Sequence, residues 1–142
     1  MKTTISYIFG IVIASSYIYM AFISRTMQPD RYKYRIVASI VSLVFGLIVD
    51  YLQIFQTPKG LLILFGIMPF IYLFYYEILR RLMRSLIGKY PYAPHWEKIG
   101  ERISGHGYPR DRFVTGNDHL FKGLLFFLPI ITLAIISVAL TN

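Results

Sequence analysis

Hydrophobic positions along this chain fall into four long runs, and the polar positions collect between them. The runs cover about Ile5 to Ile23, Ile36 to Phe55, Leu61 to Leu79 and Leu124 to Leu140. Each approaches the length of a transmembrane helix, roughly 20 residues for a hydrocarbon core about 30 Å thick. None has an internal Lys or Arg. They are continuously apolar, without the period-two alternation of a membrane barrel. The pattern predicts an all-α polytopic membrane protein: one domain over 1–142 with four transmembrane helices and a structured cytoplasmic segment, 80–122, between the third and fourth. Lys2 followed by Ile5 to Ala14 and small residues imitates a secretory signal. The apolar stretch continues to Ile23, long enough to span, so an uncleaved first helix is expected.

The connections differ. Thr57-Pro58-Lys59-Gly60 is turn chemistry, with Pro fixing φ and Gly relieving the backbone, so the second and third spans should be antiparallel neighbours. Pro69 and Pro129 each remove a backbone donor inside a span and should kink it. In the long segment, Leu79, Leu82, Met83, Leu86 and Ile87 share one helical face, while Arg80, Arg81 and Arg84 lie on others. That predicts an amphipathic helix that continues the third span, bends along the headgroups and ends at Gly88, its arginines toward anionic lipid. Lys89 to Pro94 should be extended, because prolines disfavour helix in the residues before them. A short helix is expected from His95 to Ser104, with Trp96, Ile99 and Ile103 on one side. Thr115-x-x-Asp118 has capping-box spacing for the start of the fourth span.

Composition then narrows the class. The chain is 56% hydrophobic and 15% charged, where soluble domains carry roughly 25% charge. The net charge of +8 would suggest nucleic acid in a soluble protein; here it fits anionic headgroups and orientation, and no nucleic-acid partner is expected. With no Cys, disulfides and thiolate metal sites are excluded. Arg25, Arg31, Lys33 and Arg35 fall in the first connection and nine of the fifteen Lys and Arg residues in 80–122, against only Lys2 and Lys59 on the other side. By the positive-inside rule both termini lie outside, with 25–35 and 80–122 cytoplasmic. A bacterial inner membrane is the expected setting. The abundant Tyr and Phe, among them Tyr32, Tyr34, Tyr51 and the Tyr72 to Tyr76 cluster, are expected to form interfacial belts.

Few residues offer chemistry. Asp50 is a carboxylate within a span, where an ionised group needs a partner or a watery cavity. Lys59, Ser15, Ser16 and Tyr17 are its candidate partners, and Gln53 and Gln56 extend a polar stripe from it. Glu77 has Arg80 and Arg81 at ion-pair spacing. His95, His106 and His119 lack the tight spacing of a metal motif, so no metal and no cofactor is expected. His106, Arg110, Asp111 and Arg112 could address a phosphate, since guanidinium forks suit it. The sequence favours a small non-enzymatic membrane protein acting through protein–protein interaction, as an accessory subunit of a membrane complex or a toxin-immunity-type protein. Its expected partners are membrane lipids with anionic headgroups, and another membrane protein or a second copy of itself. The interaction candidates are Tyr92, Trp96, His106, Arg110 and Arg112, with Arg80, Arg81 and Arg84 contacting headgroups. Two alternatives stand beside it: a small transporter or channel subunit using Asp50 and Gln53, and a lipid-headgroup enzyme using the 106–112 loop.

Overall fold

A computed structural model of the chain describes residues 29–54, 58–103 and 111–141, together with Thr4, Ile8, Ile11 and Val12, which are helical. The expected first span lies otherwise outside the described residues. Among the described residues three helices are delimited: α1 (Pro29–Tyr51), α2 (Leu61–Ile87) and α3 (Gly116–Thr141). All three are long and apolar enough to cross a membrane. Among the described residues the only strand-like pairing is a single antiparallel bridge, Arg102 with Phe113.

The helix ends follow local chemistry more closely than the edges of the apolar runs. α1 starts at Pro29, a residue whose fixed φ suits a first helical position, and so takes in the basic Arg31 to Arg35 stretch expected as a connection. It stops at Tyr51, not Phe55. Gln53 takes a left-handed φ of 51°, its N–H bonds Asp50 O at 3.2 Å, and the Ile54 N–H reaches Val49 O at 3.4 Å. This is a Schellman end, which satisfies two of the helix's last carbonyls. The expected polar stripe is therefore broken: Gln53 has left the helix and is exposed, and Gln56 lies outside the described residues. α2 runs without interruption to Ile87, where Gly88 (φ 73°) caps it by donating to Arg84 O at 2.9 Å. The expected turn along the headgroups after Leu79 does not occur, because Leu79 and Met83 stay buried in the bundle.

α1 and α2 pack closely because two glycines meet. A Cβ on Gly46 would lie 2.7 Å from Leu62 O and 3.2 Å from Gly66 Cα; one on Gly66 would lie 2.8 Å from Ser42 O. Small residues are the usual means by which membrane helices approach, since lipid supplies no hydrophobic drive between them. α2 packs on α3 through Tyr72, Leu73, Tyr76, Leu79, Met83, Phe121 and Leu125. Tyr72 and Tyr76 are thus core residues, not members of an interfacial belt; exposed Tyr34 and Tyr51 remain at belt positions. The Tyr75 hydroxyl meets Thr132 Oγ at 2.6 Å, and Thr132 donates to Leu128 O at 3.0 Å. Outward-facing Val37, Val41, Val44 and Ile48 on α1, and Phe127, Ile131 and Ile135 on α3, are exposed, as a bilayer solvent requires.

Contacts between helices fix a common level at one end. Tyr32 Oη on α1 donates to Glu77 Oε2 on α2 at 2.8 Å. One residue earlier on α2, the Tyr76 ring lies 5.8 Å from that of Phe121 on α3, beside Lys122. Tyr32, Glu77 and Lys122 therefore mark one plane, beyond which the apolar parts of all three helices lie on the same side.

Candidate functional site

The described residues between α2 and α3, 88–103 and 111–115, fold into a cap on that end of the bundle, and acids organise it. Asp118, in the first turn of α3, is 1% exposed. Its Oδ1 accepts the Tyr92 N–H at 2.7 Å and Arg112 Nη2 at 2.8 Å. Its Oδ2 accepts the Thr115 N–H at 2.9 Å and the Thr115 hydroxyl at 2.8 Å. The capping-box spacing is realised, with Asp118 reaching back to the Thr115 amide, and the same carboxylate also holds Arg112, six positions away, and Tyr92, 26 positions away. Arg112 adds a bond from Nη1 to Tyr90 O. Glu97 is a second centre: Oε1 accepts the Tyr92 hydroxyl at 2.8 Å, and Oε2 the N–H groups of His95 and Trp96 at 2.7 and 3.2 Å.

The helix expected over His95–Ser104 does not form. Glu97 binds the amides just before it, a local bond that competes with helix, and Gly100 takes a φ of 88°. The chain instead pairs with 112–114: Gly100 N–H to Val114 O at 2.9 Å, Val114 N–H to Glu101 O at 2.8 Å, and Ile103 N–H to Arg112 O at 3.1 Å. Tyr92, Ile103 and Val114 close a small core of their own. Trp96, Ile99 and Ile103 therefore do not share a face; Ile103 is buried, while Trp96 is 83% exposed and Ile99 is 66% exposed.

The sequence candidates separate on this frame. Tyr92 is 0% exposed, a core residue with no surface to offer. Arg112 is held largely buried in its ion pair with Asp118. Trp96 stands out into the surroundings. His106 and Arg110 lie outside the described residues. Arg80 and Arg81 pair with Glu77 Oε1 at 3.0 and 2.8 Å. The guanidiniums of Arg80 and Arg84 lie 5.0 and 4.3 Å from the Tyr90 ring centre, and Arg84 Nη1 donates to the Tyr90 hydroxyl. These arginines thus bind protein first. Arg80 Nε is nevertheless buried with no acceptor. Among the described residues no three His, Asp or Glu side chains gather as a metal ion would require.

Asp50 sits at the other end of the bundle. Its two carboxylate oxygens accept the Gly60 N–H at 3.0 and 3.2 Å, and Gly60 is the residue that caps α2. The carboxylate thus meets a helix N-terminus, where free N–H groups and the helix dipole favour an anion. Neither Lys59 nor a described hydroxyl contacts it. Asp50→Ala should lower stability by about 1–2 kcal/mol, and Asp50→Asn, which keeps an acceptor, by less. Unfolding in detergent checks the order; equal losses would remove the capping role.

Sequence reasoning missed Asp118 and Glu97 as centres. The sequence displays the spacing of Thr115 to Asp118, but Tyr92 lies 26 positions from Asp118, and nothing local announces that bond. Comparison with known protein families, with characterised proteins and with solved structures finds no match.

Proposed function

We propose that this chain is a non-enzymatic integral membrane protein that acts by holding another membrane protein, as an accessory subunit of a membrane complex or in the manner of a toxin-immunity protein. The observation that carries this reading is the length of α2 beyond the plane of Tyr32, Glu77 and Lys122. Leu86 lies nine positions past Glu77, about 13 Å further along the helix, whereas the headgroup zone is only about 6 Å deep on each side. Leu82 and Leu86 are both exposed, Leu86 at 76%. They continue a row of exposed apolar residues at four-residue spacing, Phe70, Phe74 and Ile78, and with Glu77 at the hydrocarbon edge this ridge of α2 would run from hydrocarbon into water. A second membrane helix with a cytoplasmic extension fits such a ridge.

Several features agree. Asp50, Glu77, Glu97 and Asp118 each hold backbone amides, hydroxyls or arginines, which suits a scaffold. The excess of Lys and Arg around the cap supports a cytoplasmic cap and termini on the outer side, and small size without Cys fits a bacterial inner membrane. The transporter reading draws no help from Asp50, which is engaged by Gly60, and the lipid-enzyme reading none from Arg112, which is engaged by Asp118.

Co-purification in mild detergent followed by mass spectrometry tests the proposal, with Leu82→Asp and Leu86→Asp beside the unaltered protein. The unaltered chain should retain one membrane partner, or a second copy of itself, and both variants should insert normally but release it. Retention of the same species by both variants would count against the ridge as the contact surface.

A further inference from the structure

The cap does not simply stand above the bundle. Its Pro91–Trp96 stretch returns along the side of α3. Ala93 packs on the core that contains Tyr76, Phe121 and Leu125, and Lys122 Nζ donates to His95 O at 3.1 Å. Lys122 is the last cation before the apolar run Leu124 to Leu140, so it marks the edge of the hydrocarbon on α3. The bond to His95 therefore fixes the start of the next turn at that edge. Trp96 follows at once, its ring edge-on to His95 with centres 4.9 Å apart. Lys98 is exposed, as is Ile99. The one acid beside Trp96, Glu97, turns both carboxylate oxygens inward onto Tyr92, His95 and its own neighbour's amide.

We propose that the turn 95–100 is an interfacial anchor: Trp96 and Ile99 enter the boundary between headgroups and acyl chains, and Lys98 lies among anionic headgroups. The occupant is lipid because of depth. The turn sits where α3 passes into hydrocarbon, and a bilayer already surrounds that level. The indole ring is suited to it, with an apolar body for acyl chain and an N–H for the wet side. A Lys stem can lie along apolar surface with its ammonium among phosphates. The cap would then be held from two sides, by Asp118 within the protein and by the bilayer beneath the turn.

Trp96 is the single Trp of the chain, so its emission reports this turn alone. The full-length protein would be reconstituted in phosphatidylcholine vesicles with and without phosphatidylglycerol. The expected result is blue-shifted emission that loses most of its intensity to lipids brominated near the headgroup end of the acyl chain. Lipids brominated near the methyl end and aqueous acrylamide should quench it little. Phosphatidylglycerol should deepen the blue shift, and Lys98→Gln should abolish that increment. Strong acrylamide quenching with no effect of brominated lipid would place the turn in water and overturn the proposal. Quenching by neither would mean that protein covers Trp96, and would overturn it equally. Identical emission in the two lipid compositions would overturn the role given to Lys98.

Discussion

Asp118→Ala is expected to open the cap. The substitution removes the acceptor of four hydrogen bonds and takes from the largely buried Arg112 guanidinium its Asp118 carboxylate. Breaking a buried ion pair from one side destabilises by about 3–5 kcal/mol, because the remaining charge keeps its desolvation penalty. The loss falls locally. α3 loses its N-cap partner, the Tyr92 amide loses its acceptor, and the small core of Tyr92, Ile103 and Val114 loses the frame around it. Hydrogen exchange is the measurement, since the Tyr92 and Thr115 amides report the bonds directly. Both should lose protection while α1 amides keep theirs. Asp118→Asn retains a neutral acceptor and should lose less. Adding Arg112→Leu to Asp118→Asn should recover part of the loss, since the charge left behind is removed with it. Unchanged protection at Tyr92 and Thr115 in Asp118→Ala would show that the cap is held elsewhere.

Gly46→Leu and Gly66→Leu are expected to separate α1 from α2. The atoms that a new Cβ would strike are backbone: Leu62 O and Gly66 Cα from Gly46, Ser42 O and Gly46 Cα from Gly66. Backbone cannot rotate aside as a side chain can, so the helices must move apart along the crossing. Overpacking of this kind destabilises by about 1–3 kcal/mol for a small increment; that range applies to Ala, and Leu should exceed it. Gly123→Ala is the control, since a Cβ there meets nothing within 4 Å and Ala is the better helix former. Thermal unfolding in detergent followed by circular dichroism should rank Gly123→Ala at or above the unaltered protein. Each Ala variant at Gly46 or Gly66 should fall below it, and each Leu variant lower still. A Gly66→Leu protein as stable as the Gly123→Ala control would refute the close crossing.

The two sites differ in how far they could be read from residues alone. Helical character was legible wherever periodicity and end signals agreed: the second, third and fourth apolar runs, Gly88 as a stop and Thr115-x-x-Asp118 as a start. Boundaries set by backbone conformation were less so, as when Gln53 took a left-handed turn that no Gly or Asn advertised. The 95–104 stretch misled because Trp96, Ile99 and Ile103 have helical spacing. The forces that decided its shape were Glu97 turning back onto its own amides and a pairing with 112–114. Neither has a periodic signature. The close crossing of α1 and α2 depends on Gly46 and Gly66 lying opposite each other, and which faces of two helices meet is a three-dimensional fact. Asp50 drew attention as an intramembrane charge, yet the Gly60 amide that accounts for it is backbone, and backbone partners leave no trace in composition.

The placement of Asp118 has a consequence for biogenesis. A ribosome delivers Tyr92 and Glu97 before Arg112, and Arg112 before Asp118 and Lys122. The pair α1 and α2, with Asp50 bound to the Gly60 amide at the start of α2, can enter the membrane while the cap residues are still emerging. The cap cannot close until the first turns of α3 exist, because α3 carries both the carboxylate that binds Tyr92 and the amine that binds His95. Closure of the cap therefore waits on the start of the last helix, and a chain that stalls before residue 122 lacks the amine that binds His95.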